Sequence, residues 1–290
     1  MNLLRALRYA RHYENWRELE RERAAGRKPA RAVLRGGTRF EAPPGMNVLR
    51  VVTPVFHKRV YTPSGFEIRE DDAVVDVGAN IGAFTVFAAQ RTRGPLLAVE
   101  PHPGNAAALR RNLRANSAQR AVVAECAVAE AAGTLPLFLG RSGTTHQLFA
   151  AGKDTGEGAS IDVRVVTLPE LLAEHGFARV DFLKLDCEGA EGLILPSLGD
   201  GQLAAIRTIA LEFHDDTSPL SHDALAKLLD SKGYRTAIAW DGSSANGMLF
   251  ASRSSYSAAR EGPRERHPGD LQPAESPRSG AARVRESDGE

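Results

Sequence analysis

Apolar positions in this chain change their spacing twice. Across 1–27 they are sparse and helically spaced (Leu3, Leu4, Leu7, Trp16, Leu19), in a background of Arg, Glu and Ala with no glycine before Gly26. That pattern, with Glu and Arg at helical intervals, predicts one helix with a thin apolar stripe, read as a solvated appendage. Pro29, Gly36, Gly37, Pro43, Pro44 and Gly45 then give 29–45 the composition of a linker. Two short apolar runs, 48–52 and 57–61, read as strands.

From Asp71 onward the pattern is regular. Short apolar runs predict strands over 73–77, 96–100, 121–128, 134–139, 161–166, 180–186 and 207–214. Between them, helical periodicity predicts helices over 81–91, 105–116, 169–175, 190–198 and 222–232. Two closing strands, 234–240 and 247–251, flank an Asp241-Gly242 turn. A polar, Gly-rich stretch at 140–160 reads as a plain surface loop. Strands alternating with helices imply a mostly parallel sheet covered on both faces, a doubly wound α/β fold. The expected layout is an N-terminal helix and linker (1–45), one α/β domain (46–251), and a tail (252–290) too poor in apolar residues to fold.

Composition narrows the field. With 42% hydrophobic and 25% charged residues, the chain can bury an ordinary core. A net charge of +1 gives no electrostatic reason for a nucleic-acid partner, and no apolar run is long enough to span a bilayer. Two cysteines, Cys126 and Cys187, exclude a disulfide framework and a four-cysteine zinc site. A reducing compartment, the cytoplasm, is expected.

Two segments carry chemistry. The first is Val74-Val75-Asp76-Val77-Gly78-Ala79-Asn80-Ile81-Gly82, at a strand-to-helix turn where backbone can approach a ligand. A dinucleotide loop needs glycines at positions that Asn80 and Ala83 occupy, which counts against a nicotinamide oxidoreductase. Asp76 before the glycines suits a cationic ligand. Glu100, 24 residues further on at the end of the next strand, is placed to accept ribose hydroxyls. The second segment is Lys184-Leu185-Asp186-Cys187-Glu188-Gly189-Ala190-Glu191. Lys184 and Asp186 are two apart and share a strand face, and charge at the end of an apolar strand is costly unless paired or used. Glu212 and His214 close the next strand, and His214 is a candidate general base. Asp186, Glu188, Glu191 and Asp215 also offer oxygen ligands for a divalent metal, a less favoured reading, because carboxylates alone do not make a metal site.

These segments, with Val99-Glu100-Pro101, resemble the FkbM family of S-adenosylmethionine (SAM) dependent methyltransferases, of the class I methyltransferase fold, over about residues 60–251. The resemblance implies a Rossmann-like, seven-stranded, mostly parallel sheet with one antiparallel strand, SAM as methyl donor, and a small hydroxylated acceptor, a sugar or natural product. It implies that Asp76, Gly78, Asn80 and Gly82 surround the amino-acid part of SAM, that Glu100 holds the ribose, and that Glu125, Cys126 and Ala127 lie near the adenine. Lys184, Asp186, Glu188, Glu191 and Glu212 fall near the transfer site, Asp186 serving both cofactor and catalysis. Either Asp186 or His214 is expected to be the base, with Lys184 orienting a carboxylate or stabilising the developing alkoxide. The competing readings are a non-catalytic SAM-binding or interaction protein and an N-methyltransferase.

Overall fold

The computed structural model describes residues 3–140, 155–240 and 244–253. The Asp241-Gly242 turn, most of the 140–160 loop and all but the first two residues of the tail fall outside them.

The N-terminal stretch is two helices, α1 (Leu3–His12) and α2 (Trp16–Ala24), rather than one. The break falls at Tyr13, which bridges to Leu34 and whose hydroxyl meets Thr53 Oγ1 at 2.8 Å. A hairpin follows, β1 (Arg31–Val33) and β2 (Arg39–Glu41). Tyr13, Leu19, Phe40 and Met46 are almost fully buried and share one core with Val74 and Phe84. The expected solvated appendage is therefore a packed layer. Its apolar stripe looked thin because the aromatic residues of the break and hairpin supply the rest.

Residues 48–61, expected as two strands, form α3 (Val48–Thr53) and a π-helical turn, Pro54–Lys58. The β-branched run suggested strand, but Asn47 caps the helix, its side chain accepting from the Leu49 N–H at 3.1 Å, and burial of Val48, Leu49 and Val52 fixes it. Arg59, in the left-handed region at φ 51°, ends the turn.

From here the expected alternation holds. The elements are β3 (Val74–Val77), α4 (Ala83–Ala89), β4 (Leu96–Val99), α5 (Pro103–Ala115), β5 (Val122–Ala124), β6 (Ala127–Val128), β7 (Gly133–Gly140) and β8 (Thr155–Val166). They continue with α6 (Leu168–Glu174), β9 (Val180–Leu185), α7 (Glu191–Ser197), α8 (Asp200–Ala204), β10 (Ile206–His214), α9 (His222–Ser231), β11 (Arg235–Ala239) and β12 (Asn246–Ser252). Among the described residues, seven strands pair in the order β11-β12-β10-β9-β3-β4-β5, with β12 antiparallel to both its neighbours. This is the Rossmann-like sheet. β3 lies near its centre, covered on both faces, which is why it reads as continuous apolar sequence: Val74 enters one core, Val75 and Val77 the other.

The run 121–128, expected as one strand, divides. β5 closes the large sheet, while β6 pairs with β8 in a small sheet with β7. Glu125 and Cys126 sit at the crossing between the two sheets. Asn112 and Asn116 of α5 bond the backbone of Glu41 and Arg39 on β2, each amide giving one donor and one acceptor at 2.7–3.0 Å. Asn112 also donates to the Ile81 carbonyl at 2.8 Å, tying the hairpin to the loop after β3. Among the described residues no helix is long and apolar enough to cross a membrane.

Candidate active site

The site lies beyond the carboxyl ends of β3, β4, β9 and β10, where doubly wound sheets hold ligands. The chain leaves β3 at Gly78 with φ +76°. A Cβ there would stand 1.8 Å from the Asp186 backbone oxygen, so only glycine lets the loops after β3 and β9 touch. Gly82 serves a different contact: a Cβ on it would meet Leu109 Cδ1 at 2.4 Å, so it lets α4 start against α5. Asn80, at φ 52°, directs its N–H to Glu100 Oε2 at 2.8 Å, and His102 N–H donates to Oε1 at 2.9 Å. Burial pushes the Glu100 carboxyl up to about 7 despite these donors. Gly78, Asn80, Glu100, Cys126, Asp186 and Glu188 line a cleft of about 610 Å³. The buried Cys126 thiol, raised to about 11 by desolvation, forms inert wall there. Glu125 points away and pairs with Arg110 at the surface.

Asp76 and Gly82 do not line this cleft. Asp76 is 1% exposed and lies behind the loop. It accepts from Thr85 Oγ1 at 2.6 Å, and its other oxygen, which has no hydrogen bond, faces Lys184 Nζ at 3.1 Å. Asp76 and Lys184 are directly opposed in the β3–β9 register. The ammonium also donates to the Gly78 carbonyl at 2.7 Å and stands 3.6 Å from Asp186 Oδ2. Burial alone would lower the Lys184 ammonium, but Asp76 and Asp186 outweigh it and hold it above its ordinary value.

A second, larger cleft of about 1290 Å³ opens on the other side of Asp186. It shares Gly78, Asn80, Asp186 and Glu188 with the first and adds Lys184, Glu212, His214 and, from the N-terminal layer, Tyr61, Arg50 and Lys58. His214 is buried between Glu188 and Glu191, its ring nitrogens 3.6 and 3.5 Å from their carboxylates. Burial disfavours its charged form, but Glu191, Glu188 and Asp186 raise it to about 10. Glu191, fully buried, folds back to accept the Cys187 and Gly189 N–H groups at 2.6 and 2.9 Å, so it shapes the loop rather than facing the cleft. Glu188, at φ 53°, does face it; burial and the nearby Asp186 charge raise its carboxyl to about 8. The same two causes raise Glu212 to about 7.

Asp186, Glu188 and His214 bring ligand-type atoms within 4.8 Å of one another. Both ring nitrogens of His214 already face glutamate carboxyls, those of Glu188 and Glu191. Asp215, the other acid considered for a metal, is bound instead by the His222 ring at 2.5 Å. Sequence reasoning missed Tyr61, whose hydroxyl donates to Asp186 Oδ2 at 2.8 Å. It lies outside the two motifs, in a run that read as strand.

An acid-lined double cleft at the mouth of this sheet, with the antiparallel strand second from the edge, defines a Rossmann-like methyltransferase. The chain belongs to the FkbM methyltransferase family: the domain described as Methyltransferase FkbM domain matches residues 76–236. It is 33% identical over 218 residues to the 31-O-demethyl-FK506 methyltransferase FkbM of Streptomyces tacrolimicus, covering 64% of this chain and 82% of that protein. It is 27% identical over 219 residues to the methyltransferase sdnD of Sordaria araneosa, covering 64% and 84%. Among solved structures it is similar to the methyltransferase FkbM of Methylobacillus flagellatus KT, at 17% identity and a TM-score of 0.45, covering 68% of this chain and 50% of that one.

Proposed function

We propose that this protein is a SAM-dependent O-methyltransferase acting on a small hydroxylated acceptor. The observation that carries the reading is Asp186, which lines both clefts and so stands between a cofactor site and an acceptor site.

The first cleft suits SAM on features of this chain. The backbone of Gly78 and Asn80 lines it, and the buried Glu100 on its wall gains stabilisation from added hydroxyl donors. Glu100 would hold the ribose hydroxyls, Gly78 and Asn80 would face the amino-acid end, and Cys126 the adenine. Bound there, SAM supplies an electrophilic methyl group on a sulfonium sulfur. An alcohol is a weak nucleophile at neutral pH and needs a base within reach of its proton. His214, charged at neutral pH by its glutamate neighbours, has no lone pair to offer. Asp186 therefore takes the proton, and Lys184 and Tyr61 hold its carboxylate in place. The acids of the larger cleft suit the hydroxyl groups of a polyol acceptor. The S. tacrolimicus relative is named for methylation at an oxygen, which agrees with this choice.

Calorimetric titration with S-adenosylhomocysteine (SAH) tests the cofactor site. Micromolar binding is expected, weakened at least tenfold by Glu100→Ala; a folded chain that binds no SAH overturns the reading. Methylation of oxygen in a panel of polyols and glycosides, read as a 14 Da mass gain, tests the acceptor class. A product methylated on nitrogen would favour the N-methyltransferase alternative.

Glu100 also sets a pH dependence. At pH 6, a unit below its folded value of about 7, the carboxyl is roughly nine-tenths protonated. Hydroxyl donors need the anion, so SAH affinity is expected to rise up to ~10-fold from pH 6 to pH 8, with proton release, and Glu100→Gln should flatten that slope. Stability of the free protein runs the other way. A carboxyl raised in the fold from 4.5 to about 7 stabilises fully below 4.5, and that contribution is lost as pH rises through 7.

A further inference from the structure

The segment before the family-matched region sends a tyrosine into the transfer site. The π-helical turn Pro54–Lys58 stops at Arg59, whose left-handed conformation reverses the chain; Val60 N–H donates back to the Pro54 carbonyl at 3.1 Å. The reversal carries Tyr61 inward, 7% exposed, its ring edge-on to Phe84 with centroids 5.5 Å apart. Its hydroxyl lies 2.8 Å from Asp186 Oδ2 and 3.3 Å from Glu212 Oε2, and Lys184 Nζ stands 5.3 Å from the ring centroid.

One phenol proton thus lies between two carboxylates. Oδ2 of Asp186 is engaged by the phenol and by the Lys184 ammonium, which leaves the other oxygen to the clefts that Asp186 lines. Without the phenol, Glu212 would lose the hydrogen bond that favours its anion while the Asp186 charge beside it remained, so its carboxyl would hold a proton more tightly. We infer that Tyr61 is a positioning residue of the transfer site, bridging Asp186 and Glu212 so that the Asp186 carboxylate is held with one oxygen turned to the acceptor. The inference rests on the reading of Asp186 as the base. The other charged groups of this cleft are Lys184 on β9, Glu188 in the loop after it, His214 on β10, and Arg50 and Lys58 from the N-terminal layer; Tyr61→Phe changes none of them and keeps the ring against Phe84.

The test uses the full chain with ¹³C-labelled Asp and Glu carboxyls, followed by NMR against pH. Asp186→Asn and Glu212→Gln assign the two resonances. In Tyr61→Phe the titration midpoint of Glu212 is expected to rise by about one pH unit, a tenfold gain in proton affinity. Midpoints unmoved by Tyr61→Phe, in a variant that unfolds at the wild-type temperature, overturn the bridge. With an acceptor in hand, Tyr61→Phe should lower kcat by about 10–100-fold while SAH affinity stays within twofold; an unchanged kcat overturns the positioning role. The titration needs neither cofactor nor acceptor, so a failure to bind SAH, which defeats the methyl-transfer reading, is told apart from a failure of the bridge.

Discussion

Asp186→Asn is expected to lower single-turnover methyl transfer by about 10³-fold, inside the range general-base catalysis supplies, while SAH binds within a fewfold of wild type. The substitution is close to isosteric. An Asn side-chain oxygen still accepts from Tyr61 at the distance the carboxylate holds, 2.8 Å, so the local packing survives. What disappears is the basic oxygen facing the acceptor and one negative charge beside Lys184. Rapid-quench measurement with labelled methyl donor, at saturating acceptor, separates the chemical step from binding. Wild-type rates in this variant would remove Asp186 from proton transfer and leave Glu188, the other acid lining both clefts, to be tested.

The second large effect is on stability. Asp76 and Lys184 are 1% and 3% exposed and face each other 3.1 Å apart at the centre of the sheet. Lys184→Met keeps the length of the side chain but leaves Asp76 as an uncompensated buried charge, which costs about 3–5 kcal/mol. It also removes the ammonium that draws the Gly78 carbonyl towards β9, so SAH affinity should fall as well. Urea unfolding monitored by circular dichroism measures the first effect. The double variant Asp76→Asn/Lys184→Met should recover much of the stability, since the stranded charge is gone. No loss of stability in Lys184→Met would mean that the pair is less coupled than its geometry implies.

Much of the fold was legible because β3, β4, β9 and β10 are buried on both faces. Their sequences are short apolar runs bounded by turn residues, and the helices between them keep a clear period. The segment 48–58 was misread because Val48, Val51, Val52 and Val55 look like strand residues. The signals for helix, Asn47 before the run and Pro54 after it, were present but weak beside tertiary packing. At the site, the motifs located Asp186, Glu188, Glu100 and Asn80 on the cleft walls, since each lies within three residues of a strand end. They did not separate wall from support. Asp76, Gly82 and Glu191 stand one layer back, and this depends on which way a loop folds, which residue type and spacing do not encode. Tyr61 was invisible for a related reason: its place comes from the left-handed stop at Arg59 and from packing against Phe84.

The two clefts are built from different lengths of chain. The walls of the first come from β3 through the loop after β9, within the span 76–236 that the family shares. The larger cleft borrows Arg50, Val51, Lys58 and Tyr61 from the layer before that span. Under the reading given above, part of the acceptor wall is then written outside the stretch that holds the donor site, while Asp186 belongs to both clefts. An ancestral gene could exchange or rework the short stretch from 48 to 62 and reach a new acceptor in one step. The methyl-donor half would carry over intact, provided that a hydroxyl equivalent to that of Tyr61 still arrived at the seam.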